Sequence, residues 1–197
     1  MTAINTLSLT DLTPLSINKK EVMRYLGVLA MDDLTKSLYD ACDKHVREVM
    51  APKAIYAIAD ITVNENAVDF GFMRVESKNL STNLRLCDRA YVFCATLGTE
   101  VDRYFEKLKR TSSAKAAVFS AVASSYIESV CDYVNAIIAE GKTVANRFSC
   151  GYGDFCLEHQ KDILNALEAD KKIGVCLTES FMMVPVKTVT AIVGVRR

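Results

Sequence analysis

The chain has 197 residues, and its 24 Lys+Arg are matched by 24 Asp+Glu, so the formal charge is zero; this argues against a general nucleic-acid binder, which attracts phosphate through a basic excess. Half of the residues are hydrophobic and only three are Pro and eight Gly, a composition that excludes a disordered chain. No run approaches the roughly 20 apolar residues that span a bilayer, and residues 1–16 lack the basic start and apolar run of a signal peptide.

A cytoplasmic chain with no membrane segment is the expectation, read as an N-terminal arm over 1–16 and one domain over 17–197. At this size a single core removes roughly 70% of the unfolded surface from water, so neither metal nor disulfides are needed. The seven cysteines are odd in number and contain no C-x-x-C pair, which fits reduced thiols rather than a zinc ribbon or a secreted framework.

Asn18 with Glu21 three residues on starts a first helix, with Val22, Tyr25, Leu26 and Leu29 on one face. A second begins near Asp32 or Asp33 and carries Leu34, Leu38, Ala41, Cys42, His45 and Val49 before Pro52 stops it. His45 reads as a packed histidine, since no partner ligands lie near it in sequence. Residues 54–63 and 67–75 are β-rich, and the Asn64-Glu65-Asn66 turn between them predicts a hairpin. Residues 77–83 are polar. Residues 90–97 are apolar on both faces, as a central buried strand would be, and end at Gly98. Thr99 then caps a helix carrying Val101, Tyr104, Phe105 and Leu108.

Residues 113–140 form the longest predicted helix, whose small residues let a neighbouring element approach closely. Glu128 and Asp132 lie on one side of it at i and i+4, an acidic face or, for Glu128, a ligand contact. A helix over 157–169 with Leu157, Leu164 and Leu167 inward, a short run over 175–177 and a terminal strand over 188–193 complete the chain. Strands and helices mix without βα alternation, so the fold class is α+β, with a mostly antiparallel or mixed twisted sheet packed against helices, one of them the long central helix.

Residues 147–159 are too irregular in period for helix or strand, and they hold the candidate chemistry. Arg147 offers a planar fork for a carboxylate. Gly151 and Gly153 let backbone approach a flat ligand, and Tyr152 supplies an aromatic face and a hydroxyl. The set suits a zwitterionic ligand bearing a heterocycle, and it does not match a phosphate-binding glycine loop. Cys150 and Cys156 flank the glycines, and a bridge between them would make the loop redox-sensitive.

Arg147-Phe-Ser149-Cys-Gly151-Tyr152, the downstream Leu157-Glu158-His159-Gln160 and the stretch from Val175-Cys-Leu177-Thr178-Glu179-Ser180 to Pro185 resemble the activation domain of vitamin B12-dependent methionine synthase. The likeness extends upstream to Ala95-Thr96-Leu97-Gly98 and the small-residue helix, and so covers the chain from about Ile17 onward. That family's domain binds S-adenosylmethionine and supports reductive methylation of oxidised cobalamin, with flavodoxin or a similar donor supplying the electron. The resemblance implies that Arg147 holds the methionyl carboxylate, that Ser149, Gly151 and Tyr152 surround the adenosyl group, and that Glu128 meets the ammonium. It implies no catalytic side chain and no metal ligand in the chain itself.

No cobalamin-binding Asp-x-His-x-x-Gly, homocysteine or folate module is visible, so the resemblance implies an accessory subunit acting on a separate corrinoid protein or methionine synthase that carries the cobalamin. Cys150 and Cys156 stand where the family usually has proline, and the tyrosine that the family's domain supplies beyond the final strand has no counterpart. These departures motivate the alternative: an adaptor that docks on a corrinoid protein without using S-adenosylmethionine.

Overall fold

A computed structural model describes residues 1–9 and 15–197. Its centre is a four-stranded antiparallel sheet in the order β1-β2-β6-β9, formed by β1 (Asn5–Ser8), β2 (Lys53–Asp60), β6 (Cys87–Thr96) and β9 (Thr188–Arg196). The stretch read as an N-terminal arm thus supplies an edge strand, and Leu15 beyond it is buried. Of that stretch, residues 10–14 lie outside the described residues.

β6 is apolar on both faces because both are covered. Phe93 and Ala95 join one core with Ala54, Ala191 and Val193, while Val92 and Cys94 alternate into a second core with Ile55, Ala57 and Ile192. The first core is closed by α1 (Lys19–Leu26), α2 (Asp33–Val49), α4 (Thr99–Thr111) and the 27-residue α5 (Ser113–Ala139), against which the other three pack. Ser112 caps α5, its hydroxyl accepting from the Lys115 N–H at 3.3 Å. Fully buried Phe119 and Tyr126 anchor α5, each such side chain worth roughly 1.5–3 kcal/mol of burial. The Tyr126 hydroxyl donates to Asp43 at 2.5 Å. The second core is closed by α3 (Lys78–Leu84), α6 (Gln160–Ala166), α7 (Ala169–Ile173) and a small sheet of β3 (Thr62–Val63), β4 (Ala67–Asp69) and β5 (Arg74–Glu76).

The α+β class and the antiparallel sheet agree with the sequence reading, and several local expectations are corrected. α1 ends at Gly27 in the left-handed region, φ 70°, so Leu29 lies beyond it and is fully exposed. The inward stripe of α2 is Tyr39, Cys42 and Val46; Leu34 and Ala41 face water. The Asn64–Asn66 turn does close a hairpin, but it joins only β3 to β4, because β2 pairs instead along eight positions with β6. Eight ladder positions between two cores outweigh a two-position local pairing.

The polar run over 77–83 is helical. Ser77 caps α3 by accepting from the Leu80 N–H at 3.0 Å, and Leu80 and Leu84 are buried. At α4 the cap position is Gly98, φ 88°, with no side-chain hydrogen bond, and Thr99 is the first helical residue. The helix expected over 157–169 is a 3-10 turn (Leu157–His159), then α6, then α7, broken at Glu168 with φ 51°. Leu157 is half exposed.

Candidate functional site

Residues 144–148 run along the outer edge of β9 as an incomplete fifth strand. Phe148 and Ile192 exchange both backbone hydrogen bonds, at 2.9 and 2.8 Å, and the Ala145 N–H donates to Gly194 at 2.8 Å. The chain then turns tightly, with the Gly151 N–H on the Phe155 carbonyl at 2.7 Å and the Phe155 N–H on that of Tyr152 at 3.0 Å.

Phe155, 1% exposed, is the turn's anchor, stacked on Phe148 at 6.3 Å between ring centroids. Asp154 ties the turn to the start of α3, accepting from the Ser77 hydroxyl and from the N–H groups of Lys78 at 2.8 Å and Asn79 at 3.2 Å. The Ser77 hydrogen bond, then those backbone donors, hold its carboxyl below the usual range.

Both glycines are required by the turn itself. Gly153 has φ 56°, and a Cβ there would sit 2.2 Å from Asn79 Nδ2; Gly151 has φ 90°, with Leu157 Cδ2 at 3.1 Å from the position of a Cβ. Their freedom thus shapes the loop, and Gly151 does not line the hollow beside it.

That hollow, about 190 Å³, opens where α5, the loop, α6 and β9 meet. Glu128, Arg147, Ser149 and Tyr152 line it, four of the five residues singled out in the sequence. One arm of the Arg147 guanidinium donates to Glu128 and the other to Asp132 Oδ1 at 3.2 Å. The i, i+4 spacing on α5 delivers both carboxylates to one cation, which offsets their mutual repulsion. The Arg147 side chain is 23% exposed and that of Glu128 37%, so each is half-desolvated yet open on the hollow's side. Tyr152 is 59% exposed at the mouth, its ring edge-on to Phe148.

Gln160 and Thr190 also line the hollow, and sequence reasoning did not single out either. Gln160 belongs to the quoted Leu157–Gln160 stretch, but nothing in that stretch marks it as inward-facing. Thr190 belongs to a strand whose pairing only the fold supplies.

Four larger hollows share no residue with this one. About 630 Å³ lies over α5 between α1 and α4, and about 590 Å³ lies beside α6, α7 and β7 (Cys176–Leu177). Neither is lined by an arginine; a third, about 480 Å³ along α4, has Arg103 and Arg110 beside Asp102 and Glu106, and a fourth, about 260 Å³, has Lys53 and Glu100. His45 is packed as expected, its ring against that of Tyr104 at 3.8 Å between centroids and tilted by 45°, with its Nδ1 3.1 Å from Glu48.

All seven cysteines are free. Burial pushes the Cys150 thiol up to about 12, so it stays protonated and unreactive near neutrality, whereas Cys156 and Cys176 are exposed. The folded chain alkylated with iodoacetamide at about pH 8 therefore labels Cys156 and Cys176 first, and Cys150 only on unfolding. Peptide mass spectrometry reads this; rapid labelling of Cys150 would contradict its burial.

No protein-family model matches the chain, and no curated protein matches it in sequence. A solved structure does match in shape: the MetH reactivation domain bound to AdoHcy, with a TM-score of 0.72 over 98% of this chain and 78% of that one, at 14% identity. The chain therefore has the fold of that domain. No helix among the described residues is long and apolar enough to cross a membrane.

Proposed function

We propose that this chain binds S-adenosylmethionine in the Arg147–Glu128 hollow. In this reading it is a cytoplasmic accessory subunit that supports reductive methylation of the corrinoid on a separate methionine synthase or methyltransferase, with a flavodoxin-like protein as electron donor. The observation that carries the reading is the opposition of a guanidinium and a carboxylate across one small hollow, in the fold of a domain bound to AdoHcy.

A zwitterionic amino acid fits such a pair, its carboxylate taking the Arg147 fork and its ammonium taking Glu128. The internal ion pair is then exchanged for two intermolecular ones without stranding a charge. Tyr152 offers its face to the nucleoside. Bound S-adenosylmethionine supplies a methyl group activated by a cationic sulfur. The chain's own residues hold and orient it, and no side chain has to move a proton.

Two carboxylates and one guanidinium leave this cluster with one excess negative charge. The sulfonium ligand carries one more positive charge than S-adenosylhomocysteine, so it binds more tightly, by a margin that narrows as salt rises. Calorimetric titration with both ligands at two salt concentrations tests this. No heat with either at millimolar concentration overturns the reading.

The internal Arg147–Glu128 pair, already satisfied without ligand, favours one second reading: an adaptor that docks on a corrinoid protein and has given up the nucleoside. Co-purification with a corrinoid protein that survives Arg147→Ala, together with absent S-adenosylmethionine binding, would establish it.

A further inference from the structure

We infer that Gln160 and Thr190 form the neutral half of an ammonium socket beside Glu128, which makes them determinants of specificity for a ligand with a free α-amino group. The inference rests on the amino-acid nucleoside reading above and assigns two residues that this reading does not use.

Gln160 is 7% exposed and Thr190 2%. Gln160 Oε1 and Thr190 Oγ1 are fully buried, and neither has a hydrogen-bond partner. The Thr190 hydroxyl is placed to donate to the weakly accepting Cys150 sulfur, which leaves the lone pairs of its oxygen open to a donor. Folded proteins retain few such orphaned atoms. Two on one hollow, contributed by different elements, mark a place where a ligand completes the bonding.

The chemistry of the missing partner follows from the atoms. An amide oxygen accepts only, and a hydroxyl can accept, so the partner is a donor; a carboxylate would be repelled by Gln160 Oε1. An ammonium has three N–H donors and no acceptor. Glu128 takes one proton and balances the charge, and Gln160 and Thr190 take the other two. Arg147 is left for the carboxylate.

Size agrees with this division. At about 190 Å³ the hollow is smaller than the roughly 300–1,000 Å³ that encloses a whole drug-sized ligand. It suits an amino-acid head, while the adenosyl part extends outward over exposed Tyr152.

The test compares S-adenosylhomocysteine with its deamino analogue, which keeps the carboxylate and the nucleoside, on the full chain and on two variants, Gln160→Met and Thr190→Val. The intact chain is expected to prefer the amine-bearing ligand by about a hundredfold. Each variant weakens that ligand about tenfold and leaves the analogue unchanged, so the preference shrinks by the same factor. Thermal melts confirm folding, and either folded variant decides the question. The socket is overturned if a variant weakens both ligands equally, as general loosening or loss of a bridging water would, or if the preference survives intact. If the unaltered chain binds neither ligand, the nucleoside reading itself has failed, an outcome distinct from the loss of the socket alone.

Discussion

Replacing Arg147 by alanine weakens S-adenosylmethionine binding by about 2–5 kcal/mol, the range for truncating one member of a desolvated, hydrogen-bonded charge pair. That corresponds to roughly a 30- to 5,000-fold rise in Kd. The loss is large because the ligand carboxylate then enters a partly desolvated hollow without its fork, beside the carboxylates of Glu128 and Asp132 that Arg147 otherwise balances. Arg147→Lys keeps the charge but loses the parallel donors, so its affinity falls between the two. Titration of the three proteins side by side reads this directly. Equal affinities would mean that the guanidinium serves only the internal pair and would remove the ligand reading.

Phe155→Ala produces the largest expected change in stability, about 3–5 kcal/mol, because a fully buried aromatic is deleted from a site that cannot collapse around the gap. For a chain of this length each kcal/mol lowers Tm by roughly 2–4 °C, giving a fall on the order of 6–20 °C. Phe155 is stacked on Phe148 and near His159, and its backbone closes the turn that presents Tyr152. The same variant should therefore weaken ligand binding, since the loop must be ordered at binding instead of in advance. A thermal melt followed by titration at a temperature where the variant is folded separates the two effects. A Tm within 2 °C of the parent would show that the gap is refilled and that Phe155 is no anchor.

The two predictions act on different levels of one construction. In the proposed function Arg147 takes the ligand carboxylate, and its removal is expected to leave the buried aromatic stack intact. Phe155 meets no ligand, and its removal loosens the turn on which Ser149 and Tyr152 stand. Asp154, held to the N-terminus of α3 by three hydrogen bonds, ties the turn to a rigid element as well.

Much of this molecule follows from sequence alone. The small-residue pattern over 113–140 marks α5, and its 27 residues match the expected extent closely. The doubly apolar run in β6 required a sheet covered on both faces, and the structure has one. Arg147, Glu128 and Tyr152 are legible as site candidates, because their chemistry stands out in a loop with no regular period and on a helix with few charges, whereas Ser149 is marked only by the family resemblance.

Other features depended on distance in space. No local pattern indicates that β2 pairs with β6 across the residues 61–86 between them rather than with its neighbour; loop-closure entropy grows only slowly with length, so the longer, better-buried ladder prevails. Ser77 looked like part of a polar connection because its role is to cap, and Leu80 and Leu84 acquire their meaning only when a second core lies beneath them. Likewise, the sequence offered candidate groups to grip a zwitterion. Only the fold decided that Arg147 would face both carboxylates of α5, and that Gln160 and Thr190 would be buried beside them without partners, because these five positions are gathered by the edge of β9 and not by their order along the chain.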